Sequence, residues 1–383
     1  MSRKNRRRKV RETKFHRRSP PGSPPGMLVA DPQACSPAIE VIAYSADSLV
    51  ERRIGDIKEI PSFLKEWPVT WINVNGLGDA AVIGGIGEIF GLHRLALEDV
   101  INVHQRAKVE QYKDHCFVVV REIVAEEKFT SEQISIFLGR NYVITFQESP
   151  GDPFDPVRDR IRKSIGRLRT AGPDHLVYAL IDATIDHYFP VLESHGEKLE
   201  ALEEDVIAQP DSRCVTRIHD LRHGLLVLRR AVWPLREAVN TLYRDPHALV
   251  SEETRLYLRD CYDHTVQIID LLENYRDVAS SLMEAYLSSL SNRTNEIVKV
   301  LTIFTAVFMP LTLVAGIYGM NFHTERSPWN MPELDWFMGY PFALGLMLAI
   351  ALGLLLYFRT RGWLGPLRSL PPPGESSQSD APK

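Results

Sequence analysis

Two stretches near the C-terminus contain no Asp, Glu, Lys or Arg. They cover residues 300–322 and 336–358, and each is 23 residues long. A helix that crosses a membrane needs about 20 predominantly apolar residues. Only the 13 residues of 323–335 separate the two stretches, which is too few for a domain. The pattern therefore favours a membrane hairpin over two core helices of a soluble domain.

Basic residues flank this predicted hairpin on one side. Arg293 and Lys299 precede the first span, and Arg359 and Arg361 follow the second. Lys and Arg beside a span mark its cytoplasmic end. We therefore expect a multi-pass protein with both termini in the cytoplasm and the short loop outside.

Between residues 38 and 170 short apolar runs alternate with polar turns. Two segments, 84–90 and 93–100, predict helices. Five runs rich in β-branched and aromatic residues predict strands at 39–44, 70–74, 116–120, 134–138 and 142–146. This alternation is typical of an α/β domain.

The rest of the chain before the hairpin has a helical pattern. We expect helices over 174–208 and 213–244, forming an antiparallel pair, and a third helix that begins with Ser251 as its N-cap. No Gly or Pro occurs from Ser251 until Pro310, so the third helix should continue unbroken into the first span.

The predicted fold class is therefore an α/β N-terminal cytosolic domain followed by long helices and a C-terminal two-helix transmembrane hairpin, mainly α overall. The predicted segments are a basic arm and linker at 1–26, the α/β domain at 27–170, the helical pair at 171–250, the long helix at 251–322, the outer loop at 323–335, the second span at 336–358 and a cytosolic tail at 359–383.

A polar line follows the third helix at alternating steps of three and four residues, the spacing that keeps one helix face toward a shared axis. Its members are mostly acidic or amide residues in the cytosolic half, and hydroxyl or small residues in the membrane half. They are Asp260, Asp263, Gln267, Asp270, Asn274, Asp277, Ser281, Glu284, Ser288, Ser291, Asn295, Val298, Thr302, Thr305, Met309, Thr312, Gly316 and Gly319.

Each half of the polar line has an ordinary explanation, a solvated face in the cytosol and close helix packing in the membrane. Neither explains a line that continues from one into the other. Lipid cannot satisfy polar groups, so a ring of identical helices around a water-filled axis is the better interpretation. The carboxylates would then gather cations, and Val298, Leu301 and Met309 would be candidate apolar constrictions.

The polar line offers oxygen ligands and neither His nor Cys, which zinc or copper would favour. Mg²⁺ dehydrates reluctantly, and rings of Thr and Asn oxygens could hold it through its waters. An inside-negative potential supplies about 4.6 kcal/mol per 100 mV to an entering divalent cation. We therefore expect a passive, potential-driven flow that needs no ATP site.

The net charge of −4 over 383 residues conceals an uneven distribution. Residues 1–18 carry ten Lys or Arg and one Glu, a net charge of +9, which leaves −13 for the rest. The arm and the Pro/Gly-rich linker after it have no apolar core to bury and predict disorder. We interpret the arm as a solvated tail, with contact to anionic lipid or RNA as the alternative.

The α/β domain carries no convincing catalytic motif, so we expect no enzyme and no organic cofactor. Gly76 and Gly78 match a dinucleotide fingerprint weakly, and we interpret them as an ordinary turn between strand and helix. The sequence contains neither a P-loop nor a Gly-x-Ser-x-Gly motif. Its four cysteines are widely spaced, which argues against a zinc site or a disulfide framework.

The first predicted span ends on YGMNF at 318–322, and MPEL follows at 331–334. At the exit of the first of two C-terminal spans, this combination resembles the CorA family of magnesium and cobalt transporters. The resemblance covers nearly the whole chain after the arm. It includes EDVINVHQR at 98–106, FDPVR at 154–158, WPLRE at 233–237, RDCYDH at 259–264 and RTNE at 293–296.

The resemblance implies a homopentamer in a bacterial inner membrane, with a funnel of long cytosolic helices and with the first span lining the pore. It implies that Gly319, Met320 and Asn321 form the outer mouth, where the Asn321 amide binds a hydrated Mg²⁺. The loop residue Glu333 would help to gather cations. Asn295, Leu301, Met309 and Thr312 match pore-lining positions of the family. The polar line adds Val298, Thr302, Thr305 and Gly316 to the predicted pore, and Asp263, Asp270, Asp277 and Glu284 to the predicted funnel.

The resemblance also implies a sensor of internal Mg²⁺. Asp99 would face Asp260 of the next subunit, with Glu98 and Asp182 nearby. A divalent cation between these carboxylates would relieve their repulsion and favour a packed, closed state, which is negative feedback by linkage.

Two alternatives remain at this stage. A zinc transporter of the same superfamily would differ in the relative uptake of Zn²⁺ and Mg²⁺ into liposomes. A membrane-anchored scaffold that recruits RNA or lipid would keep its function in Asn321→Ala and lose it on deletion of residues 1–18.

Overall fold

The computed structural model describes residues 22, 24–125, 129–208, 210–245, 247–321, 327 and 329–364, with the side chains of Ala125, Leu334 and Asp335 left out. The predicted basic arm, most of the outer loop before residue 329 and the tail after residue 364 lie outside the described residues. The chain divides into two compact units, Met1–Tyr286 and Leu287–Lys383.

The first unit is built around a mixed sheet of seven strands among the described residues. Its order is β2-β1-β3-β7-β6-β5-β4, and all neighbours are antiparallel except the parallel pair β3 and β7. The strands are β1 Ala38–Tyr44, β2 Leu49–Ile54, β3 Val69–Asn75, β4 Lys108–Gln111, β5 Cys116–Ala125, β6 Phe129–Leu138 and β7 Tyr142–Gln147.

Helices of the first unit cover both faces of this sheet. The helices described along the whole chain are α1 Ile60–Glu66, α2 Ala80–Phe90, α3 Arg94–Ile101, α4 Asp155–Arg162, α5 Pro173–Asp186, α6 Tyr188–Ala208, α7 Ser212–Arg244, α8 Glu252–Tyr318 and α9 Gly339–Thr360.

Side chains alternate between the two faces, as they must in a strand. On β5, Val118 packs into the core shared with α4 to α8, whereas Phe117 and Val119 pack into the core shared with α1 to α3. Both faces are apolar, which explains why the central strands appear in the sequence as nearly continuous apolar runs.

The structure confirms the predicted fold class and all five predicted strands. It adds two edge strands that the sequence pattern does not indicate: β2 carries three consecutive charged residues, and β4 has only four residues. The helix expected over 174–208 is two helices that meet at His187. The N-cap predicted at Ser251 is confirmed, since its hydroxyl accepts the Thr254 N–H at 3.3 Å at the start of α8. The structure adds a cap by Asp211 at the start of α7.

The second unit contains the membrane half of α8 and the whole of α9. Of the described helices, these two are long and apolar enough to cross a membrane. The α8 helix ends at Tyr318, and α9 begins at Gly339, three residues later than the second predicted span. A short 3-10 turn, Pro332–Asp335, precedes α9.

Candidate ion pathway and metal sites

The two glycines of the weak dinucleotide match serve chain packing. Gly76 has φ +101°, and a Cβ there would lie 2.6 Å from the carbonyl oxygens of Cys35 and Ser36. The N–H of Gly78 donates to the Cys35 carbonyl at 2.8 Å. The segment before β1 thus fills the position that a pyrophosphate would need, which supports the interpretation of an ordinary turn.

The α5 and α8 helices run side by side in the same direction, and their contacts follow chain order. The Asp174 carboxylate accepts hydrogen bonds from the N–H of Ser251 at 3.0 Å and from its hydroxyl at 2.6 Å. The rings of Tyr178 and Tyr257 lie 5.0 Å apart. Further along, the Cys261 thiol donates to Asp182 at 3.7 Å.

Close to the contact between Asp182 and Cys261, the same two helices form a cluster of metal-ligating groups. Ligand atoms of Asp182, Asp186 and His264 all lie within 4.8 Å of one another. Asp182 is half-buried and Asp186 is exposed. Two carboxylates and an imidazole fit a divalent cation, and the nitrogen ligand suits Co²⁺ better than Mg²⁺.

Burial raises the pKa of Asp182, and the neighbouring charge of Asp186 raises it further. Such a pair repels itself unless a cation or a proton lies between the two groups. The sequence prediction included Asp182 and missed Asp186 and His264. The sequence contains a signal for this cluster. Asp186 follows Asp182 by four residues, and His264 follows Asp260 by four, so the members of each pair lie on one face of their own helix.

The other predicted sensor carboxylates have partners within the same chain. Glu98 accepts the N–H of Gly26 at 2.7 Å. Asp99 accepts from the Lys108 ammonium at 2.5 Å. Asp260 is 65% exposed, and the Nε2 atom of His264 lies 4.0 Å from its carboxylate. The expected pairing of Asp99 with Asp260 is between subunits and stays a prediction.

The polar line is exposed in the cytosolic half of α8. Asp260, Asp263, Asp270, Asp277 and Glu284 are all exposed. Side chains beside the line, Ile268, Leu282 and Tyr286, are buried in the first unit. The hydrophobic packing of this helix half therefore uses a different face and leaves the carboxylates unburied.

The membrane half of α8 is exposed along the same positions. Asn295, Thr302 and Gly316 are exposed, and the bulky Val298, Leu301 and Met309 are 53%, 65% and 66% exposed. A shallow concavity of about 620 Å³ runs along this part of the helix, lined by Thr305, Phe308, Met309, Thr312, Leu313, Gly316, Ile317 and Met320. A Cβ at Gly316 would have no neighbour within 4 Å, so this position faces open space.

The threonines of the polar line share one hydrogen-bonding pattern. Thr302, Thr305 and Thr312 each donate their hydroxyl to the carbonyl four residues earlier, at 2.8 to 2.9 Å. The single donor of each hydroxyl is therefore used within the helix, while its lone pairs stay available as acceptors. Such oxygens suit a hydrated cation, whose waters donate.

The predicted mouth lies just beyond the end of α8. The N–H groups of Gly319 and Met320 donate to the carbonyls of Ala315 and Ile317 at 2.9 and 3.1 Å. Met320 is 47% exposed, and Asn321 is exposed beyond the last helical turn. Glu333 lies half-buried in the 3-10 turn before α9.

An α/β domain joined through long helices to two apolar C-terminal helices is the architecture of a membrane protein with a large extramembrane part. Comparison with known proteins assigns the family. The family model described as CorA-like Mg2+ transporter protein matches residues 68–360. The chain is 45% identical over 347 residues to the cobalt/magnesium transport protein CorA of Thermotoga maritima, covering 90% of this chain and 97% of that protein.

One further relative and one solved structure from the same organism are also similar, the latter in fold. The cobalt/magnesium transport protein CorA of Methanocaldococcus jannaschii is 26% identical over 85% of this chain and 100% of its own length. The complete structure of the magnesium transporter CorA from that organism matches with a TM-score of 0.72 at 23% identity, over 85% of this chain and 98% of the other. The chain belongs to the CorA family, which is a family of transporters rather than of enzymes.

Proposed function

We propose that this chain forms a homopentameric channel that passes hydrated Mg²⁺, and Co²⁺ as a second substrate, across a bacterial inner membrane with both termini in the cytoplasm. The observation that carries the proposal is the exposed polar line of α8, with carboxylates in one half and threonine acceptors in the other. The relatives named as cobalt/magnesium transport proteins support the choice of ion.

In this proposal a ring of α8 helices surrounds the pathway. The threonine oxygens accept hydrogen bonds from the waters of the ion, so that the ion need not be dehydrated. The Asn321 amides hold the hydrated ion at the outer mouth beside Gly319 and Met320, and Glu333 adds negative charge nearby. Rings of Val298, Leu301 and Met309 close the pathway by excluding water.

Gating by internal Mg²⁺ forms the second part of the proposal. Asp99 and Asp260 of neighbouring subunits, together with Glu98 and the cluster at Asp182, bind divalent cations when these are abundant. Binding offsets the repulsion among the carboxylates and stabilises the closed arrangement, and loss of the ions releases it. The membrane potential drives the flow, so no nucleotide is consumed.

The test is Mg²⁺ uptake into proteoliposomes with an inside-negative potential and a fluorescent Mg²⁺ indicator. Wild type should take up Mg²⁺ faster with a chelator inside than with millimolar Mg²⁺ inside, and Asn321→Ala should lose most of the flux. Trp329→Ala is the control, because Trp329 is 91% exposed near the same end and has no role in the proposal.

The outcomes separate the two parts of the proposal. Absence of flux under both internal conditions contradicts the channel. Equal flux under both conditions contradicts the sensor and leaves the pore in place. Faster uptake of Zn²⁺ than of Mg²⁺ in the same vesicles would favour the zinc-transporting branch of the superfamily.

A further inference from the structure

A lysine occupies the cation position beside one of the proposed sensor carboxylates. The Lys108 ammonium on β4 lies 2.5 Å from an Asp99 oxygen at the end of α3 and 2.5 Å from a Glu110 oxygen on its own strand. All three side chains are at least half-buried, with 21%, 23% and 35% of their surfaces exposed.

The surroundings hold the ammonium in this position. Glu110 also accepts the Tyr112 hydroxyl at 2.8 Å, and the Phe117 ring lies 5.8 Å from the Lys108 nitrogen. Two carboxylates therefore face the one ammonium, and each lies at hydrogen-bond distance from it.

We propose that Lys108 is a tethered counter-ion that competes with the divalent cation for Asp99 and so determines how much internal Mg²⁺ the sensor requires. The inference rests on the proposed sensor role of Asp99. A divalent cation brings twice the charge of the ammonium and can displace it, whereas a monovalent cation has no such advantage.

Glu110 makes the displacement reversible. When Asp99 turns to a metal ion, Lys108 keeps its contact with Glu110 and is not left buried without a partner, which would be costly. Lys108 therefore has two states. Without metal it contacts both Asp99 and Glu110, and with metal on Asp99 it contacts Glu110 alone.

Substitutions of Lys108 and Glu110 should change the half-saturating Mg²⁺ concentration in opposite directions. Lys108→Met removes the competitor and should lower the half-saturating Mg²⁺ concentration about tenfold, the effect of one close charge on a carboxylate equilibrium. Glu110→Gln removes the alternative acceptor and should raise that concentration. Lys108→Arg keeps the charge and should stay within about twofold of wild type.

The experiment uses the full chain in lipid nanodiscs and follows its melting temperature as Mg²⁺ is titrated. A ligand that binds only the folded state stabilises it by RT ln(1 + [Mg²⁺]/Kd), so a fit of this relation gives Kd, which is the midpoint of the binding curve. The set contains wild type, the three variants, Asp99→Asn, and Asp99→Asn combined with Lys108→Met. Lys113→Met, an exposed lysine in the turn after the same strand, is the matched control.

The expected result is a lower midpoint in Lys108→Met, a higher midpoint in Glu110→Gln, and no effect of Lys108→Met when Asp99 is already Asn. If the midpoint depends on Asp99 but is the same in wild type and Lys108→Met, Lys108 does not compete with Mg²⁺, and the sensor role of Asp99 is retained. If Asp99→Asn leaves the titration of wild type unchanged, the sensor role of Asp99 is wrong and the competition falls with it. Should Lys108→Met fail to fold, Glu110→Gln and Lys108→Arg decide the question.

Discussion

Arg158 places its two terminal nitrogens 2.6 Å from the two oxygens of Asp152. This bidentate pair is buried, with 8% and 4% of the side chains exposed, and it joins the start of α4 to the loop after β7. The guanidinium also lies 5.2 Å from the Trp71 ring. The FDPVR sequence thus provides a structural clamp in the α/β domain.

Removal of one partner of this clamp should destabilise the domain strongly. Asp152→Asn leaves Arg158 buried with only Asp155 at 3.0 Å and Glu40 at 3.8 Å, so we expect a loss of about 3 kcal/mol in the free energy of unfolding. Asp159→Asn, whose side chain is half-exposed on the same helix, should have a much smaller effect, because exposed ion pairs contribute little. Denaturant unfolding followed by circular dichroism compares the two, and equal losses would contradict the assignment of Asp152 as a buried partner.

The same pair predicts the acid response of the domain. Burial tends to raise the pKa of Asp152, but the hydrogen bonds and the charge of Arg158 outweigh it and hold the pKa below its ordinary value. A depressed folded pKa contributes stability that is complete above the unfolded pKa of about 3.9 and is lost as the pH falls through the folded value. Melting temperatures from pH 7 to pH 3 should therefore fall less steeply below pH 4 in Asp152→Asn than in wild type.

The glycine turn at the end of β3 predicts opposite effects of two similar substitutions. Gly76→Ala meets carbonyl oxygens 2.6 Å away at a positive φ and should destabilise by more than about 1 kcal/mol. Gly84→Ala lies inside α2 with Leu28 at 3.5 Å and should be neutral or stabilising by up to about 1 kcal/mol. Thermal unfolding of both variants measures the difference, and a harmless Gly76→Ala would argue against the packing role of this turn.

Cys35 offers a direct test of orientation. It is exposed, whereas Cys116, Cys214 and Cys261 are buried. A membrane-impermeant maleimide should label the chain in inside-out vesicles and not in sealed right-side-out vesicles. Cys35→Ser should abolish this labelling. Labelling from the outside would place the α/β domain on the opposite side of the membrane from the one proposed.

The cluster on α5 and α8 predicts a difference between metal ions. Asp182→Asn should weaken the stabilisation by both Mg²⁺ and Co²⁺, because it removes a carboxylate ligand. His264→Gln should weaken the effect of Co²⁺ more than that of Mg²⁺, because imidazole nitrogen is a good ligand only for the transition metal. Melting temperatures at increasing concentrations of each ion measure both effects, with the exposed His219→Gln as control. Equal losses for the two ions in His264→Gln would exclude the imidazole as a ligand.

Sequence reasoning located the elements whose signal is local. The charge-free spans, the cap at Ser251 and the five core strands each depend on residues close together in the chain. It missed β2, whose polar residues gain their strand conformation only by pairing with β1. It joined α5 to α6 across His187, because nothing in the local pattern marks that break.

The candidate site likewise has a part that local sequence patterns predict and a part that depends on tertiary packing. The polar line follows from helix periodicity alone, and its role in ion passage stays a prediction. The partners of Glu98 and Asp99 could not be predicted, because Gly26 and Lys108 reach them through tertiary packing.

The hydrogen bonds from Ser251 to Asp174 fix the start of α8 against the start of α5. This contact is the common origin from which positions on the two helices are counted. Asp182 lies eight residues from that origin on one helix and Cys261 lies ten from it on the other, and the two residues meet. One inserted residue turns the helix beyond it by about 100°, so the spacing between origin and cluster tolerates no change of length. An alanine inserted after residue 179 should abolish the Asp182-dependent stabilisation by metal, whereas one inserted after Gly166, where the chain is exposed, should leave it intact.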